Sequence, residues 1–372
     1  MTEPDHTLPP ILLFVPALIS ASPGNSAARV AALLAEDLTN GPGTFHVESL
    51  ANPGPGLSET WRITEKDRGP VLDVSLLDYR KGFALPAIGG FTLWSAAWRL
   101  MVSIGYAVRA LTLWLRAQGK AKRGVARVHS LLGLAGVGVL VLSVVIAGLD
   151  LWWALSTPDS PDVLTLGLAG LAGWLYATGV RLIQRSADWL QSILEYADHE
   201  TRSATVNHEF LPVLDGLVEG PAPRDVHVLG YSMGALVALD FLFPPASLHP
   251  TIDARHTAVK TLTTVGCPID LARLYYPHYI DDRVERVPGL RWTNIFIAAD
   301  ILGSNLVDGD DFGTENPKPV AGLAPVNERY TDERLTWSNL ISRKGILSHS
   351  QYWGEPGTAN CLNLALAAIT RR

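Results

Sequence analysis

Residues 129–149 form a run of 21 positions without a formal charge, twelve of them Leu, Ile or Val. A helix of about 20 apolar residues spans the hydrocarbon core of a bilayer. At about −0.3 to −0.6 kcal/mol per central Leu, Ile or Val, these twelve favour insertion by about 5 kcal/mol before the Gly and Ser terms are subtracted. A second run, 163–180, is uncharged over 18 residues but holds only seven Leu or Val, so it inserts with its neighbour rather than alone. Ala169, Gly173 and Ala177 recur every four residues along it and make a small-residue ridge against which another helix packs closely. The pair reads as a membrane hairpin. Two helices buried in a soluble core are the competing reading, and the run length and composition disfavour it.

Flanking charge gives the hairpin its orientation. Lys120, Lys122, Arg123 and Arg127 precede the first run and Arg181 and Arg185 follow the second, whereas the loop 150–162 has no Lys or Arg. The flanks therefore face the cytoplasm, with Trp152 and Trp153 as anchors in the far interface and Pro158 and Pro161 breaking the chain between the spans. Residues 83–117 are apolar too, yet Arg99 and Arg109 each cost about 2.5–3.5 kcal/mol at the bilayer centre. At 100° per residue Leu93, Ala97, Leu100, Ile104, Val108, Leu111 and Leu115 share one face, the pattern of a helix lying in the membrane surface. An even number of crossings also keeps both ends of the chain on one side, as a shared sheet requires.

The rest of the composition excludes more than it assigns. Hydrophobic residues are 48% and charged ones 18%, below the roughly 25% usual in soluble domains. A net charge of −6 offers no basic footprint for nucleic acid, which is excluded as a partner. Cys267 and Cys361 stand far apart, with no ligand spacing around either, so neither a metal module nor a disulfide framework is expected and the compartment is read as reducing. Residues 11–19 are apolar, but the segment before them carries Glu3 and Asp5 and no basic residue, unlike a signal peptide.

Outside the membrane block short apolar runs alternate with helical ones. Strands are expected at 11–15, 45–49, 71–77, 226–229, 260–265 and 293–298, and helices at 27–38, with Asn25 or Ser26 as cap, 186–201, 206–218 and 233–241. This implies an α/β fold, a mainly parallel sheet with helices on both faces, interrupted by the helical transmembrane hairpin. The domain plan is an N-terminal core part at 1–81, the insertion at 82–185 and a C-terminal core part at 186–372.

One stretch carries chemistry. An apolar strand from Val226 leads into Gly230-Tyr231-Ser232-Met233-Gly234 and then into a helix, the context in which Gly-x-Ser-x-Gly forms a nucleophile elbow. A serine at so sharp a turn takes a strained backbone, the flanking glycines allow close packing, and the helix aims its N-terminal amides where an oxyanion forms. On these residues and the order of strands the chain resembles the α/β-hydrolase superfamily, over roughly 8–80 and 190–372. The resemblance implies a triad in the order nucleophile, acid, histidine. His349, in Leu347-Ser-His-Ser-Gln-Tyr-Trp353, is then the base, because it follows a plausible acid-bearing strand. Asp300 fits the acid, ahead of Asp308, Asp310 and Asp311 in a Gly/Asp-rich loop. His227 reads as structural, and His199, His208, His249, His256 and His278 as surface or loop residues. The oxyanion amides would be those of Met233 and of Ala17 or Leu18, since Pro16 has no N–H.

The resemblance and the apolar block together lead to an expectation. It is a membrane-anchored, lipase-like serine hydrolase, its catalytic part on the cytoplasmic side, acting on carboxylic esters of lipophilic acyl substrates at the lipid bilayer. A thioesterase or acyltransferase with the same triad, or a catalytically silent scaffold of the same fold, remain alternatives. No cofactor or metal is implied, and acyl length, head group and oligomeric state are not encoded legibly.

Overall fold

The computed structural model describes residues 8–18, 26–39, 43–52, 56–79, 206–218, 224–248, 254–300, 302–307, 314–331, 348–354 and 360–370, with isolated positions between 105 and 196. The chain divides into two compact units, residues 1–84 with 196–372, and residues 85–195. These divisions lie a few residues past 81 at the first boundary and ten past 185 at the second.

The first unit is built on one eight-stranded sheet: β1 (Ile11–Val15), β2 (Phe45–Ser49), β3 (Glu59–Glu65), β4 (Gly69–Leu76), β5 (Val226–Tyr231), β6 (Val259–Val265), β7 (Arg291–Ile297) and β8 (Val326–Thr331). Their order is β2-β3-β4-β1-β5-β6-β7-β8. Only β3 runs against the others, pairing antiparallel with β2 and β4. The central strands are buried on both faces, and for that reason read as unbroken apolar runs.

Alternate residues feed two cores. Leu12 and Phe14 of β1, with Leu229 and Tyr231 of β5, join α1 (Ala27–Thr39) and the C-terminal helix in one cluster. On the opposite face packs the helix that follows β5. In chain order the remaining helices are α2 (Leu211–Val218), α3 (Met233–Leu242), α4 (Ile269–Tyr275) and α5 (Leu362–Thr370).

Several expectations change. The helix foreseen over 206–218 opens with a π-turn at Val206–Phe210, because Pro212 brings no N–H to the next turn. β3 and β8 were not foreseen, nor were α4 and α5. α1 is capped from outside its own segment: Glu59 of β3 accepts the Ala27 N–H at 2.6 Å, placing a carboxylate at the positive end of the helix.

Of the expected helix at 186–201 only Tyr196 is described, helical and buried. The expected interfacial helix at 83–117 and spans at 129–149 and 163–180 lie outside the described residues except for single helical positions. Among the described residues no helix is long and apolar enough to cross a membrane. Of the isolated positions in the second unit, Val108, Leu142, Val145, Leu149, Trp152, Leu171 and Trp174 are exposed.

Candidate active site

β5 ends on Tyr231 and α3 begins on Met233, so one residue must turn the chain from strand to helix. Ser232 does so at φ 54°, ψ −123°. Such a conformation costs about 1–3 kcal/mol in a residue other than glycine and persists only where its surroundings enforce it. Two hydrogen bonds help enforce it: the Ser232 N–H donates to Val265 O at 2.8 Å, extending the β6 pairing through the turn, and the Ala235 N–H donates to Ser232 O at 2.9 Å. The flanking glycines provide the space. A Cβ on Gly230 would lie 2.6 Å from Ala235 Cα, and one on Gly234 would strike the carbonyl oxygens of Val15 and Pro16.

The Ser232 hydroxyl, 2.7 Å from Nε2 of His349, is the first link of a chain of hydrogen bonds. Nδ1 of His349 is 2.8 Å from Oδ2 of Asp300. With the carboxylate as acceptor, Nδ1 carries the proton and Nε2 is left to accept from the serine. Asp300 follows β7 by three residues, and His349 lies on the 3₁₀ turn Ser348–Trp353. Ser232 and Asp300 are buried, while the imidazole keeps partial exposure.

Aromatic contacts hold the histidine. Tyr231 donates its hydroxyl to the His349 carbonyl at 2.6 Å and stacks its ring on the imidazole, centroids 5.5 Å apart. Trp353 packs edge-on against Tyr231 at 5.0 Å and against Phe14 of β1 at 5.8 Å. Thus the x of Gly-x-Ser-x-Gly, read at first only as part of the turn, also ties the histidine loop to the elbow.

Asp300 is held by more than its histidine. Oδ1 accepts the Leu302 N–H at 2.9 Å, and Oδ2 accepts the Tyr352 hydroxyl at 2.8 Å. The loop that follows is fixed by Asp270, which accepts from Arg273 at 3.0 Å and from the Ser304 hydroxyl in a short contact. Sequence reasoning missed Tyr352, Asp270 and Ser304. The spacing of His349 and Tyr352, three residues and hence one 3₁₀ turn, was the available signal.

The remaining predicted residues fall as follows. Met233 opens α3, so its N–H lacks an intrahelical acceptor. Ala17 and Leu18 are buried in the loop after β1, whose first peptide units lie against Gly234. Asp308, Asp310 and Asp311 are outside the described residues. His227 is buried in β5 with Nδ1 2.8 Å from the Thr261 hydroxyl, His208 and His278 are exposed, and His256 is buried edge-on against Phe241 rather than at the surface. His199 and His249 are not among the described residues.

Cys267, beside the site, is fully buried, which pushes its thiol far up and removes it as a competing nucleophile. Among the described residues no three His, Cys, Asp or Glu side chains gather as a metal site. Set against protein-family models, curated proteins and solved structures, the chain matches none of the three.

Proposed function

We propose that the chain is a serine hydrolase of the α/β-hydrolase kind that cleaves carboxylic esters of lipophilic substrates. The observation carrying this reading is the unbroken path from the Ser232 hydroxyl through His349 to Asp300, at 2.7 and 2.8 Å, beginning at a strained serine at a helix N-terminus. A buried serine in that backbone conformation, facing an imidazole, is what acyl transfer needs.

In the proposed reaction Ser232 Oγ attacks the ester carbonyl carbon and its proton passes to His349 Nε2. The carbonyl oxygen becomes an oxyanion, met by the Met233 N–H and by that of Ala17 or Leu18, since Pro16 has none. The intermediate collapses, and the alcohol departs with the proton from Nε2, leaving an acyl-serine. Water, giving its proton to Nε2, then attacks the acyl carbon; the carboxylic acid leaves and the proton returns to Ser232. Asp300 keeps the imidazole in one tautomer and offsets its positive charge in both halves.

The substrate class and membrane anchoring rest on the second unit. Their support is the uncharged run at 129–149, together with the exposure of Leu142, Val145, Leu149 and Trp152. Spaced three and four residues apart, these four side chains would fall within about 80° of one another on a continuous helix at 100° per residue. A face of that kind suits lipid, and an anchored hydrolase meets acyl chains that partition out of water. The absence of Lys and Arg from the loop 150–162 supports a catalytic unit on the cytoplasmic side.

A fluorophosphonate probe tests the chemistry. Labelling of the folded chain but not of Ser232→Ala supports the reading. A folded chain that takes no label, or a Ser232→Ala variant that labels equally, overturns it.

A further inference from the structure

We infer that Tyr352 is a positioning residue for the proposed triad, setting through one carboxylate oxygen how much negative charge Asp300 offers to His349. This rests on the serine-hydrolase reading. The Tyr352 hydroxyl and His349 Nδ1 both meet Oδ2 of Asp300, each at 2.8 Å. The phenol oxygen also accepts the Ile297 N–H at 3.0 Å, so the hydroxyl proton is directed to the carboxylate. Tyr352 is fully buried, and the contact is closely walled: a Cβ on Gly303 would lie 2.7 Å from Oδ2 and 2.8 Å from the phenol oxygen.

Two donors on one oxygen share its charge. A neutral phenol drawing on Oδ2 leaves less of the carboxylate's charge for the imidazole, so removing the phenol is expected to tighten the grip of Asp300 on the His349 proton. Burial, reinforced by the Asp300 charge, pushes the phenol well above its ordinary value of 10, which keeps it a donor. The titratable rings packed against Tyr352 include His349, Tyr231 of β5 and Tyr330 of β8, the last stacked at 6.3 Å.

The test compares Tyr352→Phe with 3-fluorotyrosine at position 352, which retains the ring and makes the O–H a stronger donor. Both are made in the full chain. Tyr352→Phe is expected to move the acid limb of kcat/KM up by about half to one pH unit and to lower plateau kcat about tenfold; the fluorinated chain is expected to move the limb down. Limbs that stay in place, or that move the same way in both, overturn the inference. Because Tyr352→Phe also frees the Ile297 N–H and risks misfolding, the fluorinated chain stands as an independent arm. The His349 titration, followed by NMR on 13C-labelled histidine and assigned with His349→Gln, reads the same shifts without turnover. A shifted titration in a chain that hydrolyses nothing condemns the hydrolase reading alone, whereas an unshifted one condemns the role of Tyr352.

Discussion

The hydroxyl of Ser232 lies 2.7 Å from Nε2 of His349 although 117 residues separate them in the chain. The sheet makes this possible. β5 delivers the serine, and the histidine turn after β8 comes back across β7, where Tyr352 takes the Ile297 N–H. If these groups act together, removing any one removes the whole effect. Ser232→Ala, His349→Ala and Asp300→Asn are each expected to lower kcat/KM for ester hydrolysis about 10⁴-fold or more, and Ser232→Ala/His349→Ala no further than either single change. Initial rates with thermal unfolding as control check this. An inactive Asp308→Asn beside an active Asp300→Asn would reassign the acid.

Gly234→Ala should damage the elbow by sterics alone. Its Cβ would enter the carbonyl oxygens of Val15 and Pro16, which are backbone atoms at the end of β1 and have no rotamer to escape by. We expect a loss of about 3 kcal/mol in stability, with kcat falling even in the folded fraction because the same movement displaces Ala17 and Leu18. Urea unfolding and active-site titration separate the two effects.

The central strands were legible in the sequence. β1 matches its expected bounds because both faces are covered and every residue is apolar. β3 was hidden because its charges serve distant partners: Glu59 caps α1, and Arg62 reaches Asp73. β8 is an edge strand whose Asn327, Glu328 and Arg329 resemble a loop. At the site, turn chemistry exposed Ser232 and chain order exposed Asp300 and His349. Tyr352 was missed although it stands one 3₁₀ turn from His349, since its hydroxyl partners, the Asp300 carboxylate and the Ile297 N–H, lie more than 50 residues away in the chain.

The Asp73 carboxylate, almost wholly buried, takes Arg62 at 2.8 Å and Arg224 at 2.5 Å, tying β3, β4 and the entry to β5 together. Its hydrogen bond to Arg62, the largest cause, holds that guanidinium above its ordinary pKa. Asp73→Asn leaves two cations sharing one neutral amide and is expected to cost about 3 kcal/mol, the lower end of the usual range because both arginines keep some water. Denaturant unfolding reads the loss. Probe labelling of Ser232 per folded molecule should be unchanged, since this cluster is at the opposite end of the strands.

His227 makes stability depend on pH in a defined direction. Burial in β5 is the main cause lowering its pKa from 6.5 to about 4, so the folded chain keeps the imidazole neutral where the unfolded chain protonates it. Below about pH 6.5 the unfolded state binds the extra proton, and its stabilisation grows until the folded state also protonates near pH 4. The contribution is therefore fully present above pH 6.5 and lost progressively between about 6.5 and 4, up to about 3 kcal/mol in all. His227→Gln keeps a polar partner for the Thr261 hydroxyl and cannot titrate. Unfolding free energies at pH 7, 5.5 and 4.5 should fall less steeply in that variant than in the wild type. Equal slopes would show that His227 titrates alike in the folded and unfolded states, and that the burial of its ring does not govern its charge.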